Sequence, residues 1–240
     1  MPLEPVAETQ DVLNSLKRLG DEDAAAALQQ IADLVQSVVP ECVGLSLALH
    51  GHGLTFTLVA SDEETAALDA VQYLDGGPCI ASVDRAETVH ISEHDVLDES
   101  GWQLYAQVTA AAGIASSLSL PILLDGVVVG GVNLYAATAD AFEGHVEQLA
   151  AGVGGHARDA VMNADLDFTT RARAASGPED LANLDQINQA AGMIAESYGI
   201  DLPAAGRRLT DAAAQAGLSR SATARAIIAF LSSRGGPRTS

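Results

Sequence analysis

Four histidines and one cysteine are the side chains in this sequence whose types and spacing come closest to doing chemistry. His50 and His52 flank a glycine in the run HGHG, and His90 and His94 lie four apart on a second segment. A His-x-His pair on a β turn offers two imidazoles to a metal ion. No Cys, Asp or Glu completes a recognisable ligand set with them, so they read as polar turn residues and no metal site is expected. Cys79 follows Gly76, Gly77 and Pro78, which suggests a tight loop. A reactive thiol needs a lowered pKa and access. The nearby acids Asp75 and Asp84 act the other way, so Cys79 reads as a buried small hydrophobe. Cys42 is the only other cysteine, and two cysteines make neither a disulfide framework nor a Cys-based zinc site. There is no Gly-x-Ser-x-Gly elbow, no phosphate loop and no His-Glu-x-x-His. The clusters GGP and GVGG stand outside any nucleotide-binding context. The expectation is a protein without catalytic residues, and the sequence names no cofactor.

A second kind of chemistry sits in the last quarter of the chain, where charge changes sign. The 240 residues carry a formal charge of −20. Residues 181–240 hold six arginines (207, 208, 220, 225, 234 and 238) against four acids, a charge of +2, so the first 180 residues carry −22. The mildly basic tail is electrostatically a separate object, screened from the acidic part beyond a Debye length of about 8 Å. No run reaches the ~18 uninterrupted apolar residues of a membrane helix. The start, MPLEPVAETQ, lacks the layout of a secretory signal. The simplest reading is a cytoplasmic protein, with no membrane partner.

The elements that must position these residues follow from periodicity. Residues 1–21 read as a flexible leader with one short helix. A helix capped by Asp23 follows, with Ala27, Leu28, Ile31, Leu34, Val35 and Val38 on one stripe until Pro40. Val43–Leu49 and Leu54–Ala60 are strand-like and joined by HGHG, a hairpin signal. Residues 61–70 read as a loop or short helix. SLSLPILL, Asp125-Gly126 and VVVGGVNLY form a clearer hairpin, because the turn needs positive φ. Gly130 and Gly131 in the returning strand predict a bulge or a close approach by another group. A long helix is expected from near Phe142, continuing as far as Ala175. After the break SGP, three short helices follow. The first carries Leu181, Leu184, Ile187, Ala191, Ile194 and Tyr198 in a narrow seam like that of a coiled coil. The second turns Ala205, Leu209, Ala212, Ala213 and Ala216 inward. The third does so with Ala224, Ile227, Ile228 and Leu231. A bundle this small has a marginal core, so docking or dimerisation is expected to support it.

Helix, hairpin, loops, hairpin, helix is an α+β layout with an antiparallel sheet. Here the sequence resembles a known family. LDAVQYLDGGPCIASVDRAETVHISEH, residues 68–94, and GWQLYAQVTAAAGIASSLSLPILLDGVVVGGVNLYAATADAF, residues 101–142, look like the middle of a GAF domain of actinobacterial regulators. The resemblance implies a small molecule held between the sheet and its covering loops. Candidate pocket residues are Phe56, Leu58, Tyr73, Cys79, Trp102, Tyr105 and Leu120, for each of which plain core is the stronger reading.

LDQINQAAGMIAESYGIDLPAAGRRLTDAAAQAG, residues 184–217, with ARAII at 224–228, resembles the ANTAR domain of transcription antitermination regulators. That resemblance implies an all-α three-helix module that dimerises and binds paired RNA hairpins. The expected architecture is therefore a leader (1–21), a GAF sensor (22–163), a helical linker (164–178), an ANTAR three-helix domain (179–234) and a tail (235–240). Gln189, Arg207, Arg208 and Arg225 are the RNA-binding candidates. Leu181, Leu184, Ile187 and Ile194 are the candidates for a homodimer seam. Two positions depart from the family: Ala191 and Thr210 stand where it usually has basic residues. Each missing charge removes up to one phosphate contact with its counterion release. Two other readings stand beside this one. Ala212–Leu231 also looks like a DNA-binding helix-turn-helix, with Thr223 and Arg225 on the recognition helix. Alternatively, the bundle serves only dimerisation or docking to another protein.

Overall fold

The structure, a computed structural model, describes residues 22–51, 53–92, 102–163 and 183–232. The leader, the linker, the tail, His52, His94 and Leu181 of the expectations above lie outside the described residues. Helix α1 (Glu22–Val38) begins one residue ahead of the expected Asp23 cap. It is followed by strands β1 (Cys42–Gly51) and β2 (Leu54–Ala60). Helices α2 (Glu63–Asp75) and α3 (Pro78–Arg85) precede β3 (Val89–Ser92). Next come α4 (Gln103–Ala111), β4 (Ser116–Leu124), β5 (Val127–Ala136) and α5 (Val146–Asn163). The last three elements are α6 (Leu184–Tyr198), α7 (Leu202–Ala216) and α8 (Arg220–Ser232).

The five strands form one antiparallel sheet in the order β2-β1-β5-β4-β3. Both predicted hairpins are present. Asp125 and Gly126 turn the second with φ of 50° and 81°. Gly130 does what its position in the strand suggested: the register shifts between Ile122 and Leu123 opposite it, and a Cβ there would run into the backbone oxygen of Ala48. Residues 63–75 form a full helix where a loop or short helix was expected. Asp62 caps it by accepting a hydrogen bond from the Thr65 amide at 2.6 Å, and Gly76 ends it at φ 78°.

Strand alternation divides the interior. One face, covered by α1 and α5, carries Leu47, Leu58, Leu118, Leu120, Ile122, Val132 and Leu134, packed with Ile31, Val35, Leu149 and Val153. The other face lies under α2 and α3 and is unusually polar. It presents Ser46 on β1, Thr57 on β2, Ser117 and Ser119 on β4, and Asn133 and Tyr135 on β5, all buried.

The C-terminal helices do not stand apart. Helices α7 and α8 pack on α2 and α4. One apolar cluster runs from Leu68, Leu74, Leu104 and Val108 of the sheet-bearing part into Ile187, Ile194, Leu209, Ile227 and Phe230 of the bundle. This is the docking that so small a core calls for, and it is intramolecular.

Candidate functional site

The polar layer between the sheet and α2 is organised around Asp69, a carboxylate with no exposed surface. Its Oδ1 accepts from the Tyr135 hydroxyl at 2.6 Å and from Asn133 Nδ2 at 3.2 Å. Its Oδ2 accepts from Thr57 Oγ1 at 2.7 Å. Thr57 in turn meets the Tyr73 hydroxyl at 2.8 Å. Burial raises the Asp69 pKa above its ordinary value, against the lowering effect of hydrogen bonds from Tyr135, Ser46, Thr57 and Asn133. The network spreads from there. Ser119 Oγ donates to Asn133 Oδ1 at 2.9 Å, and Asn133 Nδ2 also reaches Ser46 Oγ at 3.1 Å. Gln72 Nε2 donates to the Tyr135 hydroxyl at 2.6 Å, while Gln72 Oε1 accepts from the Cys79 amide at 2.7 Å. That last bond caps the start of α3, whose N-cap residue, Gly77, has no side chain to do it.

Cys79 therefore sits in the first turn of a helix and not on a loop. Burial, with the Asp69 charge adding to it, pushes its thiol up to about 12. Cys42 is pushed up to about 11, mainly by burial. Both are protonated at neutral pH, the opposite of what an attacking or metal-binding thiolate needs.

The candidate pocket residues divide between the two faces of the sheet. Tyr73, Cys79, Trp102 and Tyr105 lie on the side of α2, α3 and α4. The Tyr105 hydroxyl donates to Ser117 Oγ at 3.0 Å, and Trp102 is partly buried against the shared apolar cluster. Leu58 and Leu120 belong to the opposite core, and Phe56 pairs in register with Leu49, which packs on that core too. These three cannot line one site with the others, because the period of two sends them through the sheet. Leu120 instead walls an open cleft of about 320 Å³ with Ile122, Val132, Val153, Thr88 and Arg158. Asp69, Gln72, Asn133 and Tyr135 escaped the sequence reading. The signal was the alternation of Ser117 and Ser119 with Leu118 and Leu120, which marks a buried face that is not apolar.

Of the four candidate histidines, only His50 and His90 lie among the described residues, on β1 and β3, which two other strands separate. His50 Nδ1 lies 2.9 Å from Thr55 Oγ1. His90 meets Phe142 edge to face at 6.0 Å. No group of three or more potential metal ligands occurs among the described residues.

In the bundle, Gln189, Arg207, Arg208 and Arg225 are all exposed. The Arg208 guanidinium lies 5.2 Å over the Tyr198 ring. Arg225 approaches Glu63 at 4.0 Å. Of the seam candidates, Leu184 is exposed at 47%, whereas Ile187 and Ile194 are buried at 8% and 1% inside this chain's own core. They have no surface left for a second copy in this arrangement, because α7 and α8 already fill that side of α6. Ala191 is buried at 4%, and Thr210 Oγ1 donates to the Gly206 carbonyl at 2.9 Å. On α8, Thr223 is fully buried and its hydroxyl donates to the Ser219 carbonyl at 3.1 Å. A recognition helix so covered does not present Thr223 to a DNA groove.

Five antiparallel strands with helices on both faces and a polar layer on one make an α+β domain. Residues 10–161 match the sequence model of the GAF domain family, and the chain belongs to that family. Among solved structures, the type II free methionine-R-sulfoxide reductase from Thermoplasma acidophilum is similar. It has a TM-score of 0.42 and 15% identity over 58% of this chain and 95% of that one. Among curated proteins, none matches. No helix among the described residues is long and apolar enough to cross a membrane.

Proposed function

We propose that the chain is a signal-responsive regulator of transcription antitermination, acting in the cytoplasm as a homodimer and without catalysis of its own. A small hydrogen-bonding molecule is taken up at the polar layer under α2, and the C-terminal bundle binds RNA hairpins in the manner of the ANTAR family it resembles. The observation that carries this reading is the double role of α2. Its inner side bears Asp69, Gln72 and Tyr73, and its outer side packs on α7. A ligand that favours one setting of α2 over another would thus act directly on the bundle; equal affinity for both would switch nothing.

The test is fluorescence anisotropy of a labelled two-hairpin RNA titrated with the protein at several salt concentrations. An Arg207→Ala/Arg208→Ala variant and a duplex DNA run alongside. Salt-sensitive binding that the variant weakens at least tenfold, with DNA a poor competitor, is the expected result. Absence of RNA binding at any salt concentration, by the parent and by a variant freed of the contacts between sensor and bundle alike, would sink the reading.

A second reading, a bundle that only docks, is favoured by the burial of Ala191. A lysine in its place would have to carry its charge into the packed core. Under that reading, the bundle binds no nucleic acid and the full chain still pairs through its C-terminal part.

A further inference from the structure

Both ends of α2 meet the bundle. Its first residue, Glu63, faces Arg225 of α8 at 4.0 Å. Its last residue, Asp75, accepts from the Tyr198 hydroxyl of α6 at 2.7 Å. The Tyr198 ring carries Arg208 on its face. The other oxygen of Asp75 accepts from the Tyr105 amide at 3.1 Å, and the Tyr105 hydroxyl belongs to the polar layer. Between the two ends, Gln215 of α7 donates to the Thr55 carbonyl of β2 at 2.8 Å. Two of the four residues assigned to RNA are thus held, one directly and one through a tyrosine, by carboxylates of the sensor.

We infer that α2 is a two-ended latch that keeps the bundle in a closed state of low affinity for nucleic acid, with Glu63 and Asp75 standing where backbone phosphates would compete. This rests on the reading of the bundle as an RNA-binding module. The Glu63–Arg225 pair is exposed on both sides and contributes little to holding the bundle. Its effect is to cancel a positive charge that an incoming phosphate would need. The Tyr198–Asp75 bond is the mechanical part, because a hydrogen bond to a carboxylate is stronger than a neutral one. It also ties the latch to the sensor interior, since one carboxylate serves Tyr198 and the backbone of Tyr105. A ligand that shifts α4 or α2 therefore loosens the Asp75 end.

Two full-length variants test this. Glu63→Gln/Tyr198→Phe removes both end contacts and keeps the ring under Arg208. Gln215→Glu sets a carboxylate against the Thr55 carbonyl oxygen. Amide exchange in α7 and the emission of Trp102, the chain's single tryptophan, report whether the bundle has lifted. Anisotropy with the two-hairpin RNA reports affinity. Faster exchange in α7, red-shifted Trp102 emission and RNA affinity raised about tenfold over the parent are expected for both variants. Unchanged exchange in both would overturn the latch, because the contacts would not be holding the bundle. Faster exchange with RNA affinity equal to the parent's would overturn the inhibition while leaving RNA binding intact. A lifted bundle that binds no RNA would end both this inference and the reading beneath it.

Discussion

Asp69 shows how one residue can set the character of a whole face. A carboxylate without exposed surface requires donors around it, and serine, threonine, asparagine and tyrosine supply them from β1, β2 and β5. None of this is visible at position 69 in the sequence, where an aspartate amid alanines on a short segment reads as surface. The serines of β4 are the legible half of the arrangement, because they alternate with leucines. Cys79 is buried, as its sequence context suggests, but its neighbours Asp75 and Asp84 are not the cause of its raised pKa: burial comes first, then the charge of Asp69, distant in sequence. Asp69 also makes a pH prediction. Its folded pKa is raised above the ordinary 3.8. The native state therefore holds the proton more tightly than the unfolded chain. Its contribution to stability is complete below 3.8 and is lost as pH rises through the folded value, by about 1.4 kcal/mol for each unit of separation. Asp69→Asn keeps one oxygen for Tyr135 and Asn133 and cannot ionise. Urea unfolding of parent and variant from pH 4.5 to 8 should show the difference in stability moving in the variant's favour as pH rises, until the folded pKa is passed and the difference levels off. A difference independent of pH would mean that Asp69 does not titrate in this range.

Among the elements, those with strong local signals were legible: the Asp-Gly hairpin, the helix starting near Asp201 and Pro203, and the glycines that stop α6 and α7 at φ of 61° and 73°. Helices α3 and α4 were not. They are short, and their ends are stabilised from a distance, α3 by Gln72 and α4 by Asp75, so the sequence around them carries no cap. The candidate pocket residues part at this scale too, because strand position sends Leu58 and Leu120 to the α1–α5 face while Tyr73 and Tyr105 lie on the other. Gly130 and Gly154 make a contrast that separates backbone crowding from helix propensity. At Gly130 a methyl group would strike the Ala48 carbonyl, which cannot yield without disturbing the pairing of β1 with β5. At Gly154, within α5, it would meet nothing within 4 Å. Gly130→Ala is expected to cost about 1–3 kcal/mol, and Gly154→Ala to stabilise by up to about 1 kcal/mol. Chemical denaturation of the two variants beside the parent checks both signs.

At the scale of the whole molecule, the order of parts was legible from motifs and from the change of charge along the chain. The way they join was not, since an alanine-rich helix face does not say whether its partner is a second copy or the same chain. The structure gives the second answer for Ile187 and Ile194. One apolar cluster spans the sensor and the bundle, so heating should produce a single calorimetric transition whose van't Hoff and calorimetric enthalpies agree. Two resolved transitions would mean that the bundle lifts before the sensor melts. The same cluster has a consequence for how the chain is made. Synthesis proceeds at roughly 5–20 residues per second, and β1 must wait for β5 before the centre of the sheet can close. Even then, the leucines of α2 and α4 lack their cover until residues 184–232 have left the ribosome. For those seconds the nascent domain carries a bare greasy flank, the kind of surface that chaperones and proteases inspect. A message cut short after α5 would leave that flank bare permanently, so a frameshift there is expected to remove the GAF part from the cell along with the missing bundle.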